Sequence, residues 1–553
     1  MKNSKIITPL FVAFLALPQA FALQCPPMDK APLCPQNGSI LLDETYPTQS
    51  FLISNAPYLQ TKEAKGLTRK FISKIIESYD FENVPQIMVS VSDAKEFQAM
   101  VDYTKANLTA KKIPKEKIKK ILEQMTFVPE ANYTWQQDWF ESFVDLKTGA
   151  PVVKQIASYN RVKPTNGQTV SDVGSSCQIQ KGSVIEHDYP TDYSVDPRVS
   201  NQSFGSGEMG GNIEGAPGGF CLVGDNQGKK FTEQFCSPDN TIQLQTSWLE
   251  VGHVDELFKI IPTQFNDGRP KECEFSLMAA SPKKAFEIMK KPMNANISFM
   301  DLTNPDADPK EIREIRSHSA LAGSYYLCRY AEDIMKNRSE LIEKSPAVKS
   351  VLLRLMYGIT SAQAQDTKFS INSIFTPEVT NSKEIARLNK SCAQNIDKVS
   401  NLEIQKMLTA DADMLDLNNA IDESIEKDRA IIKTKILSRL PQCAQYYNEL
   451  EVPNLFYGTP PVKNSDGSFS LPRPGVTNSF LPNPTNSVLM NKTVTFPDTN
   501  NTVFNNYLKE EMEKKKMKAG FISTWDYAHL AKGNIHCASH SLPYCRPNVK
   551  GSK

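Results

Sequence analysis

The 553-residue sequence has no surplus of charge of either sign. Its 63 lysines and arginines face 62 aspartates and glutamates, for a formal net charge of +1. That balance gives no reason to expect nucleic acid or an acidic protein surface as a partner. The one basic run, Lys514-Lys515-Lys516-Met517-Lys518, reads as a solvated helix face. Mean hydropathy is −0.40. Past the first residues no stretch is long and apolar enough to span a bilayer, so no membrane span is expected. The glycine-rich stretch from Ser203 to Gly219 lacks the strand–GxxxxGK–helix order of a phosphate cradle, and reads as a loop around Asn212-Ile213-Glu214. No internal repeat is readable.

The N-terminus does carry a signal. Lys2 and Lys5 precede an apolar run from Ile6 to Leu17 that is too short to cross a bilayer, and Ala20-Phe21-Ala22 supplies an A-x-A cleavage site. Residues 1–22 are therefore expected to be an export signal, with the mature chain beginning near Leu23 and acting in a periplasm or outside the cell. A lipoprotein reading is weaker, because Gln24 is large for the position before Cys25. Export places the chain where disulfides persist. All eleven cysteines follow the cleavage site, and an odd number leaves at least one thiol unpaired. Proximity suggests Cys25–Cys34 and Cys221–Cys236 as bridges; connectivity itself cannot be read from sequence.

Strand and helix patterns alternate along most of the chain, which predicts an α/β core. Residues 23–58 read as a Cys- and Pro-containing N-terminal segment, 59–300 and 409–553 as two parts of one α/β domain, and 301–408 as an all-helical insertion. Helices are expected over Leu59–Tyr79, Pro114–Met125, Pro282–Lys291 and Phe504–Ala519, and strands over Pro85–Ser92, Trp139–Leu146, Val488–Phe496 and Phe521–Trp525. Leu417, Ile421, Ile425, Ile432, Ile436 and Leu440 mark a long amphipathic helix. The segment from Val452 to Ser487, rich in Pro, Asn and Ser, is long for a loop inside a compact protein and so is expected to serve function.

Three segments carry candidate chemistry. In Trp248-Leu249-Glu250-Val251-Gly252-His253-Val254-Asp255-Glu256, an imidazole and a carboxylate stand two positions apart; on a strand they would share one face. Taken singly, a His-x-Asp pair is more often structural than catalytic. Asp138 lies among aromatics in Trp135-Gln136-Gln137-Asp138-Trp139, where a buried carboxylate needs a cationic partner. In Gly533-Asn534-Ile535-His536-Cys537 the cysteine either is reactive or is bridged to nearby Cys545.

Together these segments resemble the catalytic domain of the protein-arginine deiminases, of the guanidino-group-modifying (pentein) superfamily. The resemblance rests on Trp135-x-Gln137-Asp138-x-x-Glu141, Tyr159-Asn160-Arg161, Gly211-Asn212-Ile213-Glu214, Trp248-Leu249-x-Val251-Gly252-His253-Val254-Asp255-Glu256, Val452-Pro453-Asn454-Leu455-Phe456 and His536-Cys537, in that order. It covers roughly residues 80–300 and 410–550. It implies an α/β propeller of pseudo-fivefold ββαβ modules, carrying the helical insertion, and an enzyme that converts peptidyl- or protein-arginine to citrulline and ammonia. Cys537 would be the nucleophile, His253 the general acid/base, and Asp138 and Asp255 the clamp on the guanidinium. Trp135 and Val251 would wall the channel, and Arg161 would hold the substrate backbone. Calcium is also implied, with Gln137, Glu141 and Glu214 as side-chain ligands.

The sequence departs from the family pattern at two places: Trp139 stands where a second calcium site would need an acid, and Ala531 or Lys532 where an arginine shapes the site. Alternatives are a deiminase of free arginine or agmatine, and an inactive secreted pentein that only binds.

Overall fold

The computed structural model describes residues 33–34, 41–54, 64–155, 184–185, 209–302, 326–359 and 382–546, apart from short gaps within these spans. The expected signal (1–22), Arg161, Cys25 and Cys177 lie outside the described residues.

The strands fall into small sheets with a recurring pattern. In chain order, β1 (Thr48–Ser54), β2 (Gln86–Val91) and β3 (Met125–Pro129) run parallel to one another. β4 (Phe140–Asp145) pairs antiparallel with β5 (Ala150–Gln155), which runs parallel to β6 (Val184–Ile185). The same antiparallel-then-parallel order recurs in β7 (Ile213–Ala216), β8 (Phe220–Gly224) and β9 (Thr241–Leu244). It recurs again in β10 (Phe258–Pro262), β11 (Phe275–Ser281) and β12 (Glu449–Pro453). After a short hairpin of β13 (Phe456–Tyr457) and β14 (Asn478–Ser479), it appears in β15 (Val488–Met490), β16 (Thr493–Pro497) and β17 (Lys518–Ile522). The last strand, β18 (Ser539–Pro543), returns to pair antiparallel with β1. The first sheet thereby acquires the same order from the two ends of the chain.

Parallel steps need a crossover, and helices supply it. Ala64–Ser78 joins β1 to β2, Lys229–Phe235 joins β8 to β9, and Thr502–Lys514 joins β16 to β17. The step from β11 to β12 is the longest; its described residues hold only helices, Pro282–Lys290 through Ala412–Arg439. These helices share one hydrophobic cluster with β8–β11 and with Trp248 and Trp525. The longest, Ala412–Arg439, turns Leu417, Ile421, Ile425, Ile432 and Ile436 inward at helical spacing. It starts at fully buried Asp411, whose side chain accepts from the Asp413 and Met414 amides, from Tyr330 Oη (2.6 Å) and from the Arg338 guanidinium.

Several expectations need correction. Val488–Phe496 is a hairpin, not one strand: Asn491, in the left-handed region at φ 57°, turns the chain between β15 and β16. The strand expected over Phe521–Trp525 begins earlier, at Lys518, because it is chosen by its pairing with β16. Cys34 is bridged to Cys545, 511 residues away, and not to Cys25; proximity in sequence is a poor guide where the two ends of a chain share a sheet. The bridge Cys221–Cys236 does form, along with Cys273–Cys443 and Cys328–Cys392. No helix among the described residues is long and apolar enough to cross a membrane.

Asp411 joins a helix start to two other side chains, so Asp411→Ala should cost about 3 kcal/mol of stability in denaturant unfolding. A loss below about 1 kcal/mol would show that this network contributes little.

Candidate active site

Trp248–Glu256 is not a strand. Trp248 is buried, and its indole N–H donates to the Gln245 carbonyl (2.8 Å). Gly252 then takes φ +83°, which a side chain would strain, and its carbonyl accepts from Thr246 Oγ1 at 2.8 Å. His253 is extended, and Val254–Glu256 forms one turn of 3₁₀ helix, held by the His253 amide donating to Glu256 Oε1 at 3.1 Å. The turn keeps His253 and Asp255 on one side by another route. Both flank Gly211: a Cβ there would lie 2.5 Å from His253 Nδ1 and 3.2 Å from Asp255 Oδ2. Only a glycine lets the backbone approach so closely.

Asp255 is the hub. Its Oδ2 lies 2.8 Å from His536 Nδ1 and 3.7 Å from Cys537 Sγ. Its Oδ1 is buried with no hydrogen-bond partner. Cys537 is buried and is the free cysteine among the described residues; Cys545, its rival partner, is bonded to Cys34. Asn486 clamps the segment that carries Cys537. Its Nδ2 donates to Cys537 Sγ (3.1 Å), and its Oδ1 accepts from the His536 and Cys537 amides (3.0 and 3.3 Å). Asp138 ends the 3₁₀ turn Gln136–Asp138, and the amide of Gln137 in that turn donates to the Cys537 carbonyl at 3.2 Å. Trp135 covers Gly533, where a Cβ would meet the indole ring at 2.4 Å. Val251 is half-buried on the loop before His253.

The electrostatics follow from burial among anions. Burial, and then Asp255, push the Cys537 thiol well above its ordinary range, and Glu256 and Asp138 add to this. Burial and Lys259 press His536 down, but Glu214, Asp255 and Glu44 outweigh them and lift it to about 9. His536 is therefore a cation at neutral pH. Burial and Asp255 raise Glu256 to about 8.

Of the residues matched to a calcium site, Gln137 and Glu141 are engaged, while Glu214 Oε1 is buried without a hydrogen-bond partner, 3.7 Å from His536 Nδ1. Gln137 Oε1 lies 2.7 Å from His540 Nδ1, and Gln137 Nε2 donates to Glu141 Oε1 at 2.8 Å. Burial holds His540 down to about 3, so it is neutral. A buried ammonium, Lys259 Nζ, sits 2.7 Å from Glu44 Oε2, and its charge acts on Glu141 and Glu214 as well. The set as it stands does not fit a calcium ion: the amide oxygen is taken, and a fixed positive charge stands beside the carboxylates. Another group with metal-ligand atoms close together, Glu214, Asp255 and His536, is closed by the direct hydrogen bond between its last two members.

Sequence reasoning missed Glu44, Lys259, Asn486 and His540, and quoted His536 without a role. A lysine inside the apolar run Leu257-Phe258-Lys259-Ile260-Ile261 was a usable signal. The Asn-rich loop pointed to function but not to Asn486, and Glu44 carried no signal. Lys532, considered in place of a site arginine, instead pairs with Glu250 beside Val251.

The site thus sets a buried free thiol against one carboxylate, with a second carboxylate on the adjoining turn. Comparison with known proteins gives the family. The protein-arginine deiminase (PAD) family profile matches residues 231–324 and 360–545, just over half of the chain. The chain belongs to the protein-arginine deiminase family, and is a guanidino-group-modifying hydrolase acting on C–N bonds. The matched segments hold His253, Asp255 and Cys537; Asp138 and the Gln137, Glu141 and Glu214 set precede them. No curated protein matches. Among solved structures, the chain is similar to an agmatine deiminase of C. jejuni (11% identity, 92% of this chain and 97% of that one, TM-score 0.37). It is also similar to one of Enterococcus faecalis (11% identity, 94% and 98%, TM-score 0.38). Likenesses this weak bear on neither substrate nor mechanism.

An anion beside a thiol disfavours the thiolate, so removing it should have the opposite effect. Asp255→Asn is expected to move the pH profile of Cys537 alkylation by iodoacetamide to lower pH. An unchanged or upward-shifted profile would contradict this account of the thiol.

Proposed function

We propose that this protein is an exported deiminase that converts peptidyl- or protein-arginine to citrulline, with Cys537 as nucleophile, His253 as general acid/base, and Asp138 and Asp255 as the guanidinium clamp. The observation that carries the reading is the free Cys537 thiol 3.7 Å from Asp255, whose other oxygen is buried without a partner. A planar guanidinium offers paired N–H donors to such an oxygen. Peptidyl substrate is favoured by the description of the matching family, and export by the four disulfides of the described residues. The five units of like strand order are taken to close into a pseudo-fivefold α/β propeller of pentein type.

The chemistry then runs in two halves. With no substrate, the carboxylates hold Cys537 as a thiol. A bound guanidinium adds positive charge against them, which draws the thiol toward thiolate. The thiol proton passes to His253 as the sulfur attacks the guanidinium carbon. His253 gives a proton to one terminal nitrogen, the C–N bond breaks, and ammonia leaves a thiouronium adduct. Water, losing a proton to His253, attacks the same carbon. The C–S bond breaks, the thiol is restored and a ureido group remains. Aligning the planar cation between two carboxylates is a proximity effect worth several kcal/mol, on the order of 7 at best.

Turnover of a benzoyl-arginine ester, free arginine and agmatine, read as citrulline or carbamoyl product, tests the substrate class. The acylated arginine should be preferred; activity on agmatine alone would reject the peptidyl reading. Cys537→Ala should abolish product, and His253→Ala should lower kcat by roughly 10²–10⁴-fold. Citrulline formation by the Cys537→Ala protein would overturn the assignment of the nucleophile.

A further inference from the structure

The carboxylates behind the nucleophile form a connected cluster. Glu44 Oε1 lies 3.3 Å from His536 Nε2, and His536 Nδ1 lies 2.8 Å from Asp255 and 3.7 Å from Glu214. Glu141 adjoins Gln137, whose backbone holds Cys537. Such a concentration of buried acid is stable only if cations accompany it or some of the acids stay protonated. The cations are Lys259, 2.7 Å from Glu44, and His536, 2.8 Å from Asp255.

Lys259 is the fixed member of this arrangement. It lies on β10 between Phe258 and Ile260, with 2% of its surface exposed. An ammonium is placed so deep only where anions receive it, and Glu44 does so at 2.7 Å. The ion pairs then run without a break from Lys259 to Glu44, from Glu44 to His536, and from His536 to Asp255 beside Cys537.

We propose that the Lys259 ammonium is the resident cation of this carboxylate cluster, standing where the family resemblance calls for calcium, so that the site keeps its geometry without a bound divalent ion. A charge carried on a strand cannot dissociate, so the protein would have no calcium response to exploit. The engagement of Gln137 by His540 agrees with this, since the amide oxygen is then not kept for an ion. The inference rests on the cluster and not on the identity of the substrate. Its readouts involve no turnover, so its failure would leave the deiminase reading standing.

The test uses the full-length mature protein, stripped with a chelator, and follows calcium binding by calorimetry and stability by thermal midpoint. The wild type should bind no calcium up to about 1 mM, and its midpoint should move by less than about 1 °C. Stoichiometric binding at micromolar calcium with a raised midpoint would overturn the proposal. Lys259→Gln should lower the midpoint by about 4 °C or more, and calcium should now restore part of that loss. A variant as stable as wild type would also overturn it. The double variant Lys259→Gln with Glu44→Gln removes one charge of each sign. It should be more stable than Lys259→Gln alone and less responsive to calcium. If it is no better than the single variant, or if it alone folds yet binds calcium as wild type does not, the role of Lys259 is not one of charge and the proposal fails.

Discussion

Two hydrogen bonds to Asp255, one from the His536 ring and a longer one from Cys537, set the conditions under which the rest of the site must be built. An aspartate 1% exposed is tolerable only beside a cation, and His536 becomes that cation because Glu44 and Glu214 stand around it. Glu44 in turn needs Lys259. Cys537 therefore sits at the end of a chain of charge pairs, each of which stabilises the next in a dry interior. The same charges that secure the site also hold Cys537 as a thiol.

The fold serves this arrangement by bringing the two ends of the chain together. Glu44 precedes β1, and His536 and Cys537 precede β18; the pairing of those strands and the Cys34–Cys545 bridge hold the two regions side by side. Glycines at 210, 211 and 533 let the Gln136–Asp138 turn, the His253 ring and Trp135 approach the backbone closely, because a Cβ at any of the three would overlap a neighbour. The described helices between β11 and β12 extend the core that supports the Trp248 loop.

Much of the regular structure was legible in the sequence. Helices such as Ala64–Ser78 and Ala412–Arg439 show their period in their own residues, and strands such as Gln86–Val91 and Phe275–Ser281 show as short, wholly buried runs. The Trp248–Glu256 stretch was misread as a strand because its residues are apolar, while the positive φ of Gly252 and the Glu256 contact turn it into a loop and a 3₁₀ turn. His253, Asp255 and Cys537 were singled out through a resemblance to a family, and Asp255 does lie against Cys537. The supporting shell was not legible. Asn486 is an ordinary residue of an Asn-rich loop, and Glu44 lies in a segment without pattern, so nothing local distinguishes them.

What the sequence by itself determined is the local periodicity of its elements, the balance of its charge, the odd cysteine and the order of its motifs. These depend on neighbours a few residues apart, where spacing translates directly into a face or a turn. The tertiary structure decided which groups meet: Glu44 with His536 across 492 residues, Asp255 with His536 across 281, and Cys34 with Cys545 across 511. It also decided that a lysine in an apolar strand ends beside glutamates rather than in water. Pairings of that kind are set by the closing of the sheets, and their energies depend on burial, which no local pattern encodes.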